Sequence, residues 1–249
     1  LTRIDMATSE WHALLTPVLP HICTDKETPE LRAVRIELAE YALYAVATDR
    51  YTLAAERQAF PASMRIWDAP APVHIHASEA AASLRLFGYS KDEDPNLQIT
   101  IDKAPVPVEV VGHAKTIDQL AVTLQTADGT RLVLHDIRDP TRDALAGWRT
   151  KLRNALSRPA GRALEGLDLS ASLLGRWAKA CRGGERLTAY TGPEPGDPIL
   201  ITVEQHFAGL WSIPRYLDGP GKTLTESPWR RELALAALND ADEAGGTDA

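Results

Sequence analysis

Cysteine is scarce in this chain: Cys23 and Cys181 are the only two among 249 residues. Two thiols build neither a disulfide framework nor a four-cysteine zinc site, and such usage fits a reducing cytosol. Long apolar runs are missing as well, with nothing approaching the roughly eighteen residues of a membrane span. The first residues lack the charged, apolar and small-residue order of a signal peptide. A cytoplasmic protein with no membrane partner is therefore expected. Glycine patterns that cradle phosphate, GxxxxGK[ST] and GxGxxG, are absent, and no cofactor is expected. His74 and His76 have the spacing of a two-histidine metal pair on one strand face, but no third ligand holds a motif position. His21 and Cys23 lie at a helix end with no orienting acid nearby in sequence. The bland reading, structural side chains, is preferred for both pairs, and no enzyme is expected.

What is present is charge, unevenly spread. The net charge is −7, which by its sum argues against a nucleic-acid binder; its distribution matters more. Residues 141–186 hold ten basic side chains (Arg142, Arg149, Lys151, Arg153, Arg158, Arg162, Arg176, Lys179, Arg182 and Arg186) against four acidic ones. That stretch is +6, so the rest carries −13. Such a molecule can hold a polyanion on one surface and repel it elsewhere. A basic helix solvated on its own face is the alternative, and charge alone leaves the two open.

Periodicity then sets an order of elements. Residues 6–22 read as a helix with Ser9 as N-cap and Trp11, Leu14, Leu15, Val18 and Leu19 at helical spacing; Pro17 and Pro20 end or kink it. Strands follow at 31–38, 42–48 and 51–58, the first with Val34, Ile36 and Leu38 on one face and Arg35 and Glu37 on the other. The order recurs: a strand at 73–77, a helix at 79–87 capped by Ser78, a strand at 97–101, and a hairpin of 120–124 with 131–134. Asp128-Gly129 supplies the turn of that hairpin, and Pro105 and Pro107 mark an irregular or edge segment. Residues 141–162 form a basic connector with a helix at 148–156. A third round has a strand at 167–169, a helix at 171–181 capped by Ser170 and stopped by Gly183-Gly184, and strands at 186–191, 199–203 and 209–214. The tail, 218–249, offers a helix at 226–238 and an acidic end expected to be disordered. Three similar units arise, and each must pack on its neighbours to bury its faces.

With that order in place, three stretches resemble the bacterial DNA polymerase sliding clamp. Val46-Ala47-Thr48-Asp49-Arg50-Tyr51-Thr52-Leu53-Ala54 is similar to the family's signature Ala-Thr-Asp-Gly-His-Arg-Leu-Ala. Gly147-Trp148-Arg149-Thr150-Lys151-Leu152 resembles the Phe-Pro-Asp-Tyr-Arg-Arg-Val linker. Residues 198–203 with Leu210-Trp211-Ser212-Ile213-Pro214-Arg215 are similar to the last hairpin, which ends in Met-Pro-Met-Arg. The three occur in the family's order over residues 1–216. Departures are present: Gly and His of the signature are Arg50 and Tyr51 here, and the basic pair opening the family's second-unit helix is Ser78 and Glu79. Family members have three domains of two units each. On this resemblance residues 1–140 are expected to make one full domain and 163–217 half of another, with no counterpart of the first domain.

The resemblance implies an α+β DNA-clamp fold, with antiparallel sheets outside and helices lining a ring. It implies a clamp that encircles double-stranded DNA without sequence specificity and tethers a DNA polymerase or clamp loader through short peptides of the Gln-Leu-x-Leu-Phe type. Thr48, Arg50, Tyr51, Thr52 and Leu53 would form one wall of the peptide pocket, and Ser212, Ile213, Pro214 and Arg215 the other. Leu53 and Ile213 can equally be plain core. Contacts with DNA phosphates would come from Lys26, Arg32, Arg85, Arg149, Lys151, Arg153, Arg176, Lys179 and Arg182, or these face solvent only. A ring of twelve units needs four chains of three, so a homo-oligomer is expected, a tetramer before a trimer or dimer. The rival reading is a clamp-derived module, a decoy or adaptor that takes the same peptides without encircling DNA.

Overall fold

A computed structural model describes residues 2–61, 63–110, 113–137, 143–157, 171–193 and 197–212, the side chains of 106–118 and 171–173 excepted. These residues belong to one compact unit; 163–169 and 214–249 form a second, outside the described residues. The expected strand at 167–169, the Ser170 cap and the tail helix at 226–238 fall outside as well.

The first unit runs β1 (Thr2–Ala7), α1 (Thr8–Leu15), β2 (Ala33–Ala39), β3 (Ala42–Thr48) and β4 (Thr52–Ala59). The second runs β5 (Val73–His76), α2 (Ala77–Leu86), β6 (Asn96–Val110), β7 (His113–Thr126) and β8 (Arg131–His135). After α3 (Trp148–Leu156) the third contributes α4 (Ala171–Trp177), β9 (Leu187–Tyr190), β10 (Ile199–Val203) and β11 (Phe207–Trp211).

The first two units trade their leading strands. β1 leaves its own unit and pairs antiparallel with β6, while β5 returns to pair with β2. The result is a four-stranded sheet, β1-β6-β7-β8, and a seven-stranded sheet, β5-β2-β3-β4-β11-β10-β9. The trade covers β6 with β1 and β2 with β5, so each unit holds a strand of the other's sheet and the two fold together. The helices bury apolar stripes against the sheets: Trp11, Leu14 and Leu15 of α1 are fully covered, and the Trp11 indole N–H donates to Ser83 of α2 at 3.1 Å.

Several elements differ from expectation. Residues 2–7 form a strand, and α1 starts at Thr8 behind Ala7, with Glu10 accepting from the Ala7 N–H at 2.9 Å. Alternation in Ile4 and Met6 carried the strand signal, and the amphipathic run after it drew the helix boundary forward. β6 and β7 form a hairpin far longer than 97–101 and 120–124, with Pro105 opposite Asp118 and Pro107 opposite Thr116. β1 stops pairing at Ile101, so beyond it β6 has a neighbour on one side only. An edge of this kind admits proline, whose missing N–H costs no ladder bond when it faces outward. The Asp128-Gly129 turn is present, Gly129 at φ 92°.

The third unit does not stand apart: its β11 pairs with β4 along the whole strand, Trp211 opposite Thr52 through Phe207 opposite Glu56. Neighbouring residues on these strands point to opposite sheet faces. On one face Gly209, Phe207 and Trp211 meet Trp177 of α4; on the other Leu53, Ala55, Leu200 and Leu210 meet Leu145, Trp148 and Leu152 of the connector and α3. α3 and α4 therefore cover opposite faces of one sheet.

Candidate functional site: a loop–strand seam and its charged surroundings

The segment between β3 and β4 is a tight, side-chain-fastened turn. One oxygen of Asp49 accepts from the Tyr51 N–H (3.1 Å), the Thr52 N–H (2.7 Å) and the Thr52 hydroxyl (2.8 Å). This is an Asx-type closure, in which a short carboxylate replaces backbone partners. The other Asp49 oxygen accepts from Arg176 of α4. Burial would raise the Asp49 pKa, but the Thr52 and Arg176 interactions outweigh it and hold the carboxyl below the usual range.

The closure forces Arg50 to φ 78°. Where the signature-like stretch departs from glycine, its backbone keeps the left-handed conformation that favours glycine. Arg50→Gly is thus expected to stabilise the protein by about 1 kcal/mol, the relief of left-handed strain less glycine's unfolded-state entropy. Urea unfolding checks it, and an unchanged or lower midpoint contradicts it.

Ser212 seals the seam: its N–H donates to the Tyr51 carbonyl at 2.7 Å. The tertiary structure thus joins Thr48, Arg50, Tyr51, Thr52 and Leu53 to Ser212, 160 residues from Thr52 in the chain. Ile213, Pro214 and Arg215 lie outside the described residues. Tyr51 is 56% exposed at the rim, whereas Leu53 is 7% exposed beneath α3. Leu53 packs there with Leu200, Leu210, Trp148 and Leu152.

Thr52 faces the other way. Its hydroxyl is 3.0 Å from Nδ1 of His21, whose ring stacks on Trp177 with centroids 4.3 Å apart. Burial, helped by the nearby Arg176 charge and opposed by Asp49, lowers the His21 pKa to about 4. Cys23 turns elsewhere, to the Thr28 hydroxyl at 3.3 Å. His74 lies on the α3 face, 3.2 Å from Asp143, while His76 bonds Ser78 and caps α2. The two pairs singled out in sequence therefore serve packing and capping. Among the described residues no group of three His, Cys, Asp or Glu side chains is arranged to hold a metal ion.

The nine cations expected at DNA divide by face and by partner. Arg149, Lys151 and Arg153 sit on α3, on the sheet face away from α4, so they cannot share one surface with Arg176, Lys179 and Arg182. Arg149 pairs with Glu37 at 2.8 Å and lies over the Tyr44 and Trp148 rings. Arg176 pairs with Asp49, and Arg182 reaches Glu56. Lys26, Arg32, Arg85, Lys151, Arg153 and Lys179 have no salt bridge among the described residues. Lys179 and Arg182 border a cleft of about 540 Å³ with Glu10, His12 and Tyr89 of the first two units.

Two acidic anchors escaped the sequence reading. Glu56 is fully buried beside Arg182 and His206, and burial pushes its pKa up to about 9 against the pull of Arg182. Glu37 accepts from Arg35 (2.7 Å), the Trp148 indole (3.1 Å) and Arg149 (3.0 Å). Acids inside otherwise apolar strands were the available signal, since charged groups stay buried only when partnered.

No family model matches the sequence, and no curated protein matches it. Solved structures do. The chain is similar to a putative DNA polymerase III beta subunit of Eubacterium rectale, with TM-score 0.59 and 11% identity over 87% of this chain and 66% of that one. The beta subunit of Pseudomonas aeruginosa gives 0.58 and 13%, over 86% and 67%. That of Thermotoga maritima gives 0.54 and 11%, over 86% and 65%. The chain spans about two thirds of the length of these proteins. At such identity the likeness is one of backbone arrangement. This chain has the fold of the bacterial DNA polymerase sliding clamp.

Proposed function

We propose that the protein is a sliding clamp: a non-enzymatic, cytoplasmic ring subunit that holds double-stranded DNA without reading its sequence and tethers replication or repair proteins. The observation that carries this is the seam of β4 with β11. It places the signature-like turn beside the final strand, as a clamp-type peptide pocket requires. Phosphate contact falls to Lys179 foremost, with Lys26, Arg32 and Arg85, which have no salt bridge among the described residues. Such contacts are electrostatic, weaken with salt and permit sliding. Lys151 and Arg153 face the other side of the sheet and are left for partners. Polymerase and clamp loader bind by short peptides at the seam, Thr48–Leu53 supplying one wall and Ser212–Arg215 the other. Open sheet edges at β8 and β9 pair between copies, four chains of three units closing the ring. Among the described residues no helix is long and apolar enough to cross a membrane.

The experiment is topological. Purified protein loaded on nicked circular DNA is expected to remain through a high-salt wash and to be lost once the circle is linearised. Equal loss from both forms removes the ring. Native mass spectrometry at micromolar concentration is expected to give a tetramer, and a monomer has the same consequence as equal loss.

A second reading is favoured by one observation: Arg149 and Arg176 spend their charge on Glu37 and Asp49. Fewer free cations suit a decoy or adaptor that keeps the peptide pocket without encircling DNA. That reading predicts peptide binding with no retention on circles.

A further inference from the structure

The apolar floor beside the seam is not empty. Leu53 of β4, Leu210 of β11 and Leu200 of β10 form it, and α3 covers it with Trp148 and Leu152, 5% and 6% exposed. We propose that α3 is the resident occupant of the peptide groove, and that a partner peptide enters only when α3 leaves. This rests on the reading of the seam as a peptide pocket and adds its regulation.

Three features make α3 an occupant and not a fixed wall. First, it is short and poorly founded as a helix. It spans nine residues behind Gly147, with no side-chain cap and no acid in its first turn, and Arg149 and Lys151 sit near its positive end. Nine residues do not sustain a helix in water, so this one depends on what it packs against. Second, its contacts are those of a docked segment: two apolar anchors one turn apart on the groove, with Lys151 and Arg153 in solvent. Helix-in-groove recognition uses the same i, i+4 arrangement. Third, the polar latch that holds it lies outside the groove. Glu37 binds Trp148 and Arg149, and Arg35, 7% exposed, binds both Glu37 and Asp143 just ahead of the helix. A latch on β2 can be loosened without altering Leu53, Leu200 or Leu210.

Occupancy of this kind lowers apparent affinity by the fraction of molecules whose groove is free. Two variants release α3 from different sides: Glu37→Gln weakens the latch, and Leu152→Ala removes an anchor. The probe is a fluorescein-labelled peptide containing Gln-Leu-Asp-Leu-Phe, titrated by polarisation, with amide exchange of residues 148–156 followed in parallel. Both variants are expected to bind the peptide about tenfold or more tightly than the parent. Peptide is expected to speed exchange across 148–156. If the parent binds as tightly as both variants, α3 is no gate and the pocket reading survives. If α3 exchanges freely in the variants and none of the three proteins binds, the groove is no peptide site and both readings fall. Binding that leaves 148–156 protected in every protein also overturns the gate, since the peptide then sits elsewhere.

Discussion

Trp177→Ala is expected to destabilise the protein by about 3–5 kcal/mol, the usual loss when a buried indole leaves a cavity. Trp177 is 1% exposed and meets three aromatic rings from α4: it lies tilted against His21, 4.3 Å between centroids, and 6.2 Å from Trp211 and 6.0 Å from Phe207, ring to ring. It also fills the space above Gly209, where an added Cβ would come within 2.3 Å of its ring and 2.8 Å of the Leu53 carbonyl. Gly209 is thus needed for close approach, and the indole is the wedge between α4 and the β4–β11 seam. The indole N–H has no partner among the described residues, so packing and not hydrogen bonding supplies the effect. Trp177→Phe should accordingly recover more than half of the loss. Urea unfolding of both variants checks this, and a Trp177→Ala cost below about 1 kcal/mol would show that the site collapses or is not packed.

Acid should weaken the same junction. The folded-state pKa of His21 is depressed, from 6.5 to about 4. For a base this means that the folded state resists protonation while the unfolded state accepts it. Stability is therefore intact above about pH 6.5 and falls as the pH drops toward 4, by about 3 kcal/mol for a displacement of this size. Glu56 works in the opposite sense. Its raised pKa gives stability that is complete below about 4.5 and lost as the pH rises through about 9, so the two overlap between 4.5 and 6.5. The comparison that isolates His21 is with His21→Asn, which keeps a polar atom toward the Thr52 hydroxyl and does not titrate. Between pH 7 and 4 the parent should lose about 3 kcal/mol relative to that variant. Parallel pH profiles for the two proteins would show that His21 is not held neutral by the fold.

Much of the architecture was legible in the chain because local chemistry and tertiary role agreed. α3 fell at 148–156 as its apolar spacing indicated, β3 and β10 kept their expected bounds, and Asp128-Gly129 made its turn. The signature-like turn could be located because Asp49 and Thr52 close it within four residues. The partnering of its cations was not legible. Arg176 and Arg182 share a face with Lys179 by spacing, yet each meets an acid from β4 or the loop before it, about 126 residues earlier. Arg35 and Glu37 read as the outer side of a strand, but the connector covers them.

The amino-acid sequence by itself determined the individual helices and strands, the turn at Asp49 and a basic middle segment, because each depends on residues within a few positions of one another. Only the tertiary structure decided that β1 and β5 change places, that β4 and β11 become neighbours, and that α3 covers one face of their sheet while α4 takes the opposite face. Those choices depend on which open edges and apolar faces can cover each other across more than a hundred residues. Strand periodicity says that a face must be covered and leaves open by what.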